Sequence, residues 1–137
     1  MNRPIIYLSG NMTPSPEFYN SWTEKILHKV ESKFRCTHSK YKEGINFIVQ
    51  TDLARLKNSH ILVVNLGVQD KSHHLTGSIV EIYEAFKRNI PVYAFTCDNL
   101  IRSEQADSPW IQSFITKEFN SEIELVRYLM VDETLIV

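Results

Sequence analysis

Residues 59–95 decide the fold, because they hold two apolar strands with a helical pattern between them. The run Ile61-Leu62-Val63-Val64-Asn65-Leu66 leads through a polar loop to Thr76-Gly77-Ser78-Ile79-Val80-Glu81, which opens the helix, and Val92-Tyr93-Ala94-Phe95 follows as the second strand. Strand, helix and strand in this order form a βαβ unit, the building block of parallel sheets. Ligands of such sheets bind at the carboxyl ends of the strands. The polar loop leaves the first strand at that end, so a binding site is expected there.

The rest of the sequence extends this unit on both sides. The apolar run Ile5-Ile6-Tyr7-Leu8 predicts a buried strand, Phe34 to Thr37 a short one, and the segment around Ser113 to Ile115 a fifth. Helical spacing predicts helices over about 17–33, 47–58 and 78–88, and a last one from 120 or 121 to 130. We therefore expect one domain, residues 1–137, with an α/β fold. It would be a three-layer sandwich around a five-stranded parallel sheet of the flavodoxin or Rossmann kind.

Composition and charge exclude several classes of protein. Apolar residues make up 43% and charged residues 23% of the 137 residues, as in ordinary globular domains. The net charge is -1 and the 15 basic residues are dispersed, which argues against binding to a nucleic-acid polymer. The N-terminal apolar run is too short to span a membrane, and Cys36 and Cys97 show no metal or disulfide-framework spacing. We expect a cytoplasmic protein with reduced thiols and no membrane partner.

Two interpretations of Glu81 follow from the residues alone. Ser78-Ile79-Val80-Glu81 matches the S-x-x-E capping box, in which the glutamate only satisfies a backbone N–H. The other interpretation is a functional carboxylate at the ligand edge of the sheet. By composition alone, Asp52 is a solvated helix residue and Tyr7 a core aromatic. The adjacent pair His73-His74 has no third ligand at a usual spacing, so no metal site is predicted.

Four segments taken together resemble the nucleoside 2-deoxyribosyltransferase family, which includes related nucleoside 5′-monophosphate N-hydrolases. They are I-Y-L-S-G at 6–10, D-L-x-x-L-x-x-S-H-I-L-V-V-N-L at 52–66, T-G-S-I-V-E-I-Y-E-A at 76–85 and I-P-V-Y-A at 90–94. The resemblance covers nearly the whole chain and depends on the order and spacing of the segments. It implies a nucleophile at Glu81, an active-site acid at Asp52 and an orienting hydroxyl at Tyr7. The substrate-binding positions that it implies are Ser9, Gly10, Gly77 and Ser78.

The resemblance implies cleavage of an N-glycosidic bond through a covalent glutamyl intermediate, with transfer of the deoxyribosyl group to another base. Hydrolysis of a (deoxy)nucleoside 5′-monophosphate is the alternative, and a non-catalytic nucleotide-binding or sensing domain is a further one. No cofactor or metal is expected, and the family forms homodimers or higher oligomers in which a neighbour completes the pocket. Two positions depart from the family pattern. The residue where an aspartate or a phosphate-binding serine is usual is here Leu75, or by a one-residue slip His74 or Thr76, and Tyr83 stands where glycine is usual.

Overall fold

Five parallel strands form the central sheet of the computed structural model, which describes residues 3–11, 16–39 and 45–131. In chain order the elements are β1 Ile5–Ser9, α1 Pro16–Val30, β2 Arg35–His38, α2 Ile45–Lys57, β3 Ile61–Asn65, β4 Gly67–Val68, α3 Thr76–Lys87, β5 Val92–Phe95, β6 Ile101–Arg102, a short 3-10 helix Glu104–Asp107, α4 Pro109–Phe114, β7 Lys117–Glu118 and α5 Glu122–Val131. The sheet order is β2-β1-β3-β5-β7. This is the doubly wound order 2-1-3-4-5 of flavodoxin-like sheets, so the predicted fold class is confirmed.

Alternate residues of the central strands face two separate cores, as the pleat of a strand requires. On one face, Ile6, Leu8 and Val63 pack with apolar residues of α1 and α5. On the other face, Tyr7 and Leu62 pack with apolar residues of α2, α3 and α4. Both faces of the sheet are therefore covered by helices, which gives the three-layer sandwich and explains why the strands are continuously apolar.

The predicted fifth strand around Ser113 to Ile115 is wrong. Residues 109–114 form α4, whose first residue is Pro109. The fifth strand of the sheet is the short β7 that follows this helix. The strand β7 pairs with β5 through Tyr93 opposite Lys117. A two-residue edge strand with charged side chains has no apolar run to mark it, whereas Ile111 and Phe114 lie three residues apart, which is helical spacing.

A second, two-stranded sheet joins the predicted loop after β3 to the segment after β5. Gly67 pairs with Arg102 and Val68 with Ile101, so β4 and β6 run antiparallel beside the ligand edge of the main sheet. Leu75 N–H, at the start of α3, donates to Gln105 Oε1 at 2.7 Å. The segment after β5 therefore fixes the loop that leads into α3. No helix in the described ranges is both long and apolar enough to cross a membrane.

Candidate active site

A cavity of about 400 Å³ opens at the carboxyl edge of the sheet, between the start of α3 and the middle of α2. Small-molecule sites typically measure ~300–1,000 Å³. Two carboxylates, Glu81 and Asp52, line it. The other residues that line it are Gly10, Asn11, Ser39, Val49, Leu53, His74, Leu75, Thr76, Gly77, Ser78 and Val80. The structure thus brings Asp52 to the ligand edge, although its position within a helix gave no sign of this.

The capping-box interpretation of Glu81 is wrong. Helix α3 begins at Thr76, two residues before the predicted start, and its N-cap residue is Leu75, which offers no side-chain cap. Ser78 is therefore the third residue of the helix, and Glu81 lies in the second turn rather than the first. The helix dipole acts mainly within the first turn, so it gives the Glu81 anion little support. Side chains from other elements have to hold this carboxylate.

Two residues of β1 contact the Glu81 carboxylate. Ser9 Oγ donates to Glu81 Oε1 at 2.6 Å, and Ser9 Oγ also lies 2.9 Å from Ser78 Oγ. The buried Tyr7 hydroxyl on the same face lowers the pKa of Glu81 and so favours its ionised form. The pleat of β1 places both residues on the same face, because they are two apart in the strand. The end of β1 and the second turn of α3 therefore build one carboxylate site.

Burial raises the pKa of Glu81 from 4.5 to about 7. The hydrogen bond from Ser9 and the Tyr7 hydroxyl lower the pKa of Glu81 in part, and the nearby negative charge of Asp52 raises it further. A carboxyl group with this pKa exchanges its proton near neutral pH. Such perturbation of a carboxyl in a cavity is typical of functional sites.

Asp52 belongs to a second polar network on the opposite wall of the cavity. Its Oδ1 lies 3.3 Å from Arg55 Nη1, one helical turn along α2. Burial raises the pKa of Asp52, while Ser39, the Arg55 cation and the neighbouring His38 oppose the rise. His38 Nδ1 in turn lies 2.9 Å from the Ser39 carbonyl oxygen. The end of β2 and helix α2 thus hold this second carboxylate.

The predicted glycines differ in what surrounds them. A Cβ added to Gly10 would lie 2.7 Å from Trp22 Cζ2, so only glycine lets β1 pass this close to α1. A Cβ added to Gly77 would meet nothing within 4 Å, because Gly77 faces the open cavity. Gly10 is therefore required by packing, whereas Gly77 leaves space at the cavity wall.

The two departures from the family pattern lie in different places. Leu75 is buried in the core with Ile111 and Ala106, and it also lines the cavity. Its side chain therefore brings no polar group to that wall. Tyr83 lies on the outer face of α3, where it is 45% exposed and its ring centroid is 5.5 Å from that of Phe114. Tyr83 thus lies on a surface and not in the cavity.

Sequence reasoning missed the residues that support Asp52. Arg55, Ser39 and His38 were not singled out, and only the D-x-x-R spacing of Asp52 and Arg55 offered a signal, since residues three apart on a helix are neighbours. Contacts between His38, Ser39 and Asp52 depend on how α2 packs against β2. Such contacts leave no mark in a single sequence.

Burial raises the pKa of Cys36 to about 12 and that of Cys97 to about 11, so both thiols stay protonated near neutral pH. Within residues 3–11, 16–39 and 45–131, no group of three or more His, Cys, Asp or Glu side chains is placed to hold a metal ion. His73 lies 3.0 Å from Asp70 in a surface turn.

Comparison with known proteins finds a similar structure but no similar sequence. No protein-family model matches the sequence, and no curated protein sequence does. Among solved structures, the chain is similar to a 2-desoxiribosyltransferase from Leishmania mexicana, with a TM-score of 0.61 and 13% sequence identity. The likeness is one of fold. It covers 69% of this chain and 65% of that enzyme, so the chain spans somewhat less than two thirds of its length.

Proposed function

We propose that this protein cleaves the N-glycosidic bond of a (deoxy)nucleoside through Glu81 and transfers the deoxyribosyl group to another nucleobase. The observation that carries the proposal is the Glu81 carboxylate itself. Ser9 donates to it at the wall of a ligand-sized cavity, Tyr7 favours its ionised form, and a second carboxylate, Asp52, lines the same cavity. The likeness in fold to a deoxyribosyltransferase supports the same reaction class.

The proposed reaction has two steps that resemble those of retaining glycosidases. First, a carboxylate oxygen of Glu81 bonds to C1′ as the C1′–N bond breaks and its electron pair passes to the base. The departing base takes a proton from Asp52, which makes it a better leaving group. Second, a nitrogen of the incoming base bonds to C1′, the Glu81 ester bond breaks, and the proton of the incoming base passes to Asp52. Both carboxyl groups return to their initial states.

The reaction needs one proton on the pair of carboxyl groups, with Glu81 ionised and Asp52 protonated when the C1′–N bond breaks. Glu81 has a pKa of about 7, which leaves a large ionised fraction near neutral pH. Burial raises the pKa of Asp52, which favours its protonated form. Arg55 stabilises the aspartate anion after the proton has left. Asp52 therefore acts as the acid in the first step and as the base in the second, while Glu81 acts as the nucleophile.

An uncharged substrate suits the described cavity better than a phosphorylated one. The side chains that line it include two carboxylates and no lysine or arginine, and Leu75 presents an apolar surface. A 5′-phosphate would meet negative charge without a cation among these residues. We therefore place a deoxynucleoside first as the substrate.

Hydrolysis of a nucleoside 5′-monophosphate is the second candidate, and one observation favours it. Thr76 and Gly77 begin α3 at the cavity wall, and the first N–H groups of a helix lack partners within the helix. Such N–H groups bind phosphate well, and the open space beside Gly77 would admit the 5′-phosphate of the substrate. In this reaction water replaces the incoming base in the second step.

We also propose that the active protein is a homodimer or a higher homo-oligomer. Val49 and Val80 line the cavity, yet they are 49% and 47% exposed, and the exposed Tyr83 and Phe86 extend the apolar surface along α3. A second copy that covers this surface would also close the cavity mouth. Sedimentation velocity tests it: a dimer that Tyr83→Glu dissociates supports the proposal, and a monomer at assay concentrations contradicts it.

One incubation distinguishes the candidate functions. The protein is incubated with each deoxynucleoside and each deoxynucleoside 5′-monophosphate, with and without a second free base, and the products are separated by chromatography. A new nucleoside indicates a transferase, whereas free base with free sugar or sugar phosphate indicates a hydrolase. If no substrate is consumed, the enzyme proposal fails and the binding or sensing domain is favoured.

Glu81→Gln is the decisive variant in this assay, because it keeps the shape of the side chain and removes the nucleophile. We expect turnover to fall by a factor of about 10³ or more. Glu84→Gln is the matched control on the same helix, since Glu84 pairs with Lys87 at 2.9 Å on the surface. It should keep full activity. Full activity of the Glu81 variant would contradict the proposed role.

A further inference from the structure

The two serine hydroxyls next to Glu81 have one order of donation while Glu81 is ionised. Ser9 ends β1 and Ser78 lies in the first turn of α3, 69 residues away, and their Oγ atoms are 2.9 Å apart. A hydroxyl carries one proton and an ionised carboxylate only accepts, so the Ser9 proton must point to Glu81 Oε1. Ser78 must then donate its own proton to Ser9. When Glu81 is protonated, the same atoms can bond in the reverse order.

These hydroxyls form hydrogen bonds with each other and with Glu81, and both serines are buried. Ser9 is 2% exposed and does not line the cavity, whereas Ser78 is 4% exposed and forms part of the cavity wall. Their bonds also do not serve the helix end, because the N-cap position is Leu75. The bond from Ser9 to Glu81 measures 2.6 Å, as expected for a hydroxyl that donates to a carboxylate.

We propose that Ser9 and Ser78 are positioning residues: a relay of two hydroxyls, Ser78 to Ser9 to Glu81, which fixes the orientation of the attacking carboxylate. This differs from the substrate-binding role that the family resemblance implied for both serines. The proposal rests on the proposed role of Glu81 as the nucleophile. Its hydrogen bonds can nevertheless be tested without any turnover.

The direct test is an NMR titration of the Glu81 side-chain carboxyl carbon in ¹³C-labelled protein. The variants are Ser9→Ala, Ser78→Ala and the double variant, with assignment by Glu81→Gln. Loss of a hydrogen bond to the ionised form raises a carboxyl pKa. We expect Ser9→Ala to move the titration midpoint upward by about one pH unit. Ser78→Ala should move it upward by less, and the double variant should match Ser9→Ala, because Ser78 acts only through Ser9.

Ser59→Ala is the matched control, since Ser59 is also buried but its hydroxyl donates to the Arg55 carbonyl oxygen at 2.7 Å. It should lower the stability and leave the Glu81 midpoint unchanged. Additive shifts in the double variant would overturn the relay, and so would a Ser9→Ala midpoint equal to that of the parent protein. Ser78→Ala replaces a helix residue with the best helix former, so it tests the direction of the shift even if Ser9→Ala folds poorly.

Kinetics supply the second measurement. If Ser9 orients the nucleophile, Ser9→Ala should lower kcat about tenfold or more even above the shifted midpoint, while KM changes little. A rise in KM with unchanged kcat would instead identify Ser9 as a substrate contact and overturn the positioning role. If the parent protein turns over no nucleoside while the NMR midpoints shift as expected, the proposed function fails and the hydroxyl relay stands.

Discussion

Glu81→Gln should stabilise the protein at high pH even as it removes activity. Burial in the folded state raises the pKa of Glu81 from 4.5 to about 7, so the folded protein holds this proton more tightly than the unfolded chain does. The stability that the protonated side chain contributes is complete below the unfolded pKa and is lost as the pH rises through about 7. At about 1.4 kcal/mol for each pKa unit, ionisation of Glu81 costs the fold about 3 kcal/mol well above that pH.

Glutamine mimics the neutral acid at every pH, so the variant avoids this cost. We expect the two proteins to have similar free energies of unfolding near about pH 4.5. By about pH 8.5 the variant should be more stable by about 3 kcal/mol. Urea unfolding followed by far-ultraviolet circular dichroism measures the free energy of unfolding of both proteins. Both are measured at one protein concentration, because the apparent stability of an oligomer depends on concentration.

Glu84→Gln again provides the control for this measurement. Hydrogen bonding and ion pairing with Lys87 lower the pKa of Glu84, so its ionisation favours the fold. The free energy of unfolding of the Glu84 variant should not rise with pH relative to that of the parent protein, and it should be slightly lower. A stability difference between parent and Glu81→Gln that does not change with pH would refute the reasoning, because Glu81 would then titrate like a solvated glutamate.

Three further predictions follow from the site. The kcat/KM of the parent protein should follow a bell-shaped pH profile, because the reaction needs Glu81 ionised and Asp52 protonated at the same time; a pH-independent kcat/KM between about pH 5 and 8 would contradict this. Arg55→Ala removes the cation 3.3 Å from Asp52 and should raise the pKa of Asp52 further, so an NMR titration that shows no upward shift would contradict the role of Arg55. Gly10→Ala brings a Cβ within 2.7 Å of Trp22 and should cost about 1–3 kcal/mol in urea unfolding, and an unchanged stability would show that the ring moves aside freely.

The sheet could be predicted from the sequence because its strands carry their own signal. Ile61 to Val64 and Val92 to Phe95 are continuous apolar runs, and only a strand covered on both faces needs such runs. The edge strand Lys117–Glu118 has only two charged residues, so nothing local marks it. Its existence depends on pairing with Tyr93 and Ala94 of β5, which are far away in sequence.

The candidate site was only partly predictable, for a related reason. Glu81 was found because a capping motif and a family pattern both include it, but the start of α3 was placed two residues late. In the structure Gln105, 30 residues further along, accepts the Leu75 N–H and allows the helix to begin at Thr76. Arg55 and Ser39 could not be assigned, because their contacts with Asp52 arise from the packing of α2 on β2.

The central claim is that Glu81 bonds covalently to the sugar, and mass spectrometry tests it most directly. The protein is mixed with excess deoxynucleoside in the absence of an acceptor base, quenched in acid within one turnover, digested and mapped. The proposal predicts a gain of one deoxyribosyl group on the peptide that contains Glu81, with release of one equivalent of free base, and no such gain in Glu81→Gln. Turnover without this adduct, or an adduct on another residue, would contradict the role of Glu81 as the nucleophile.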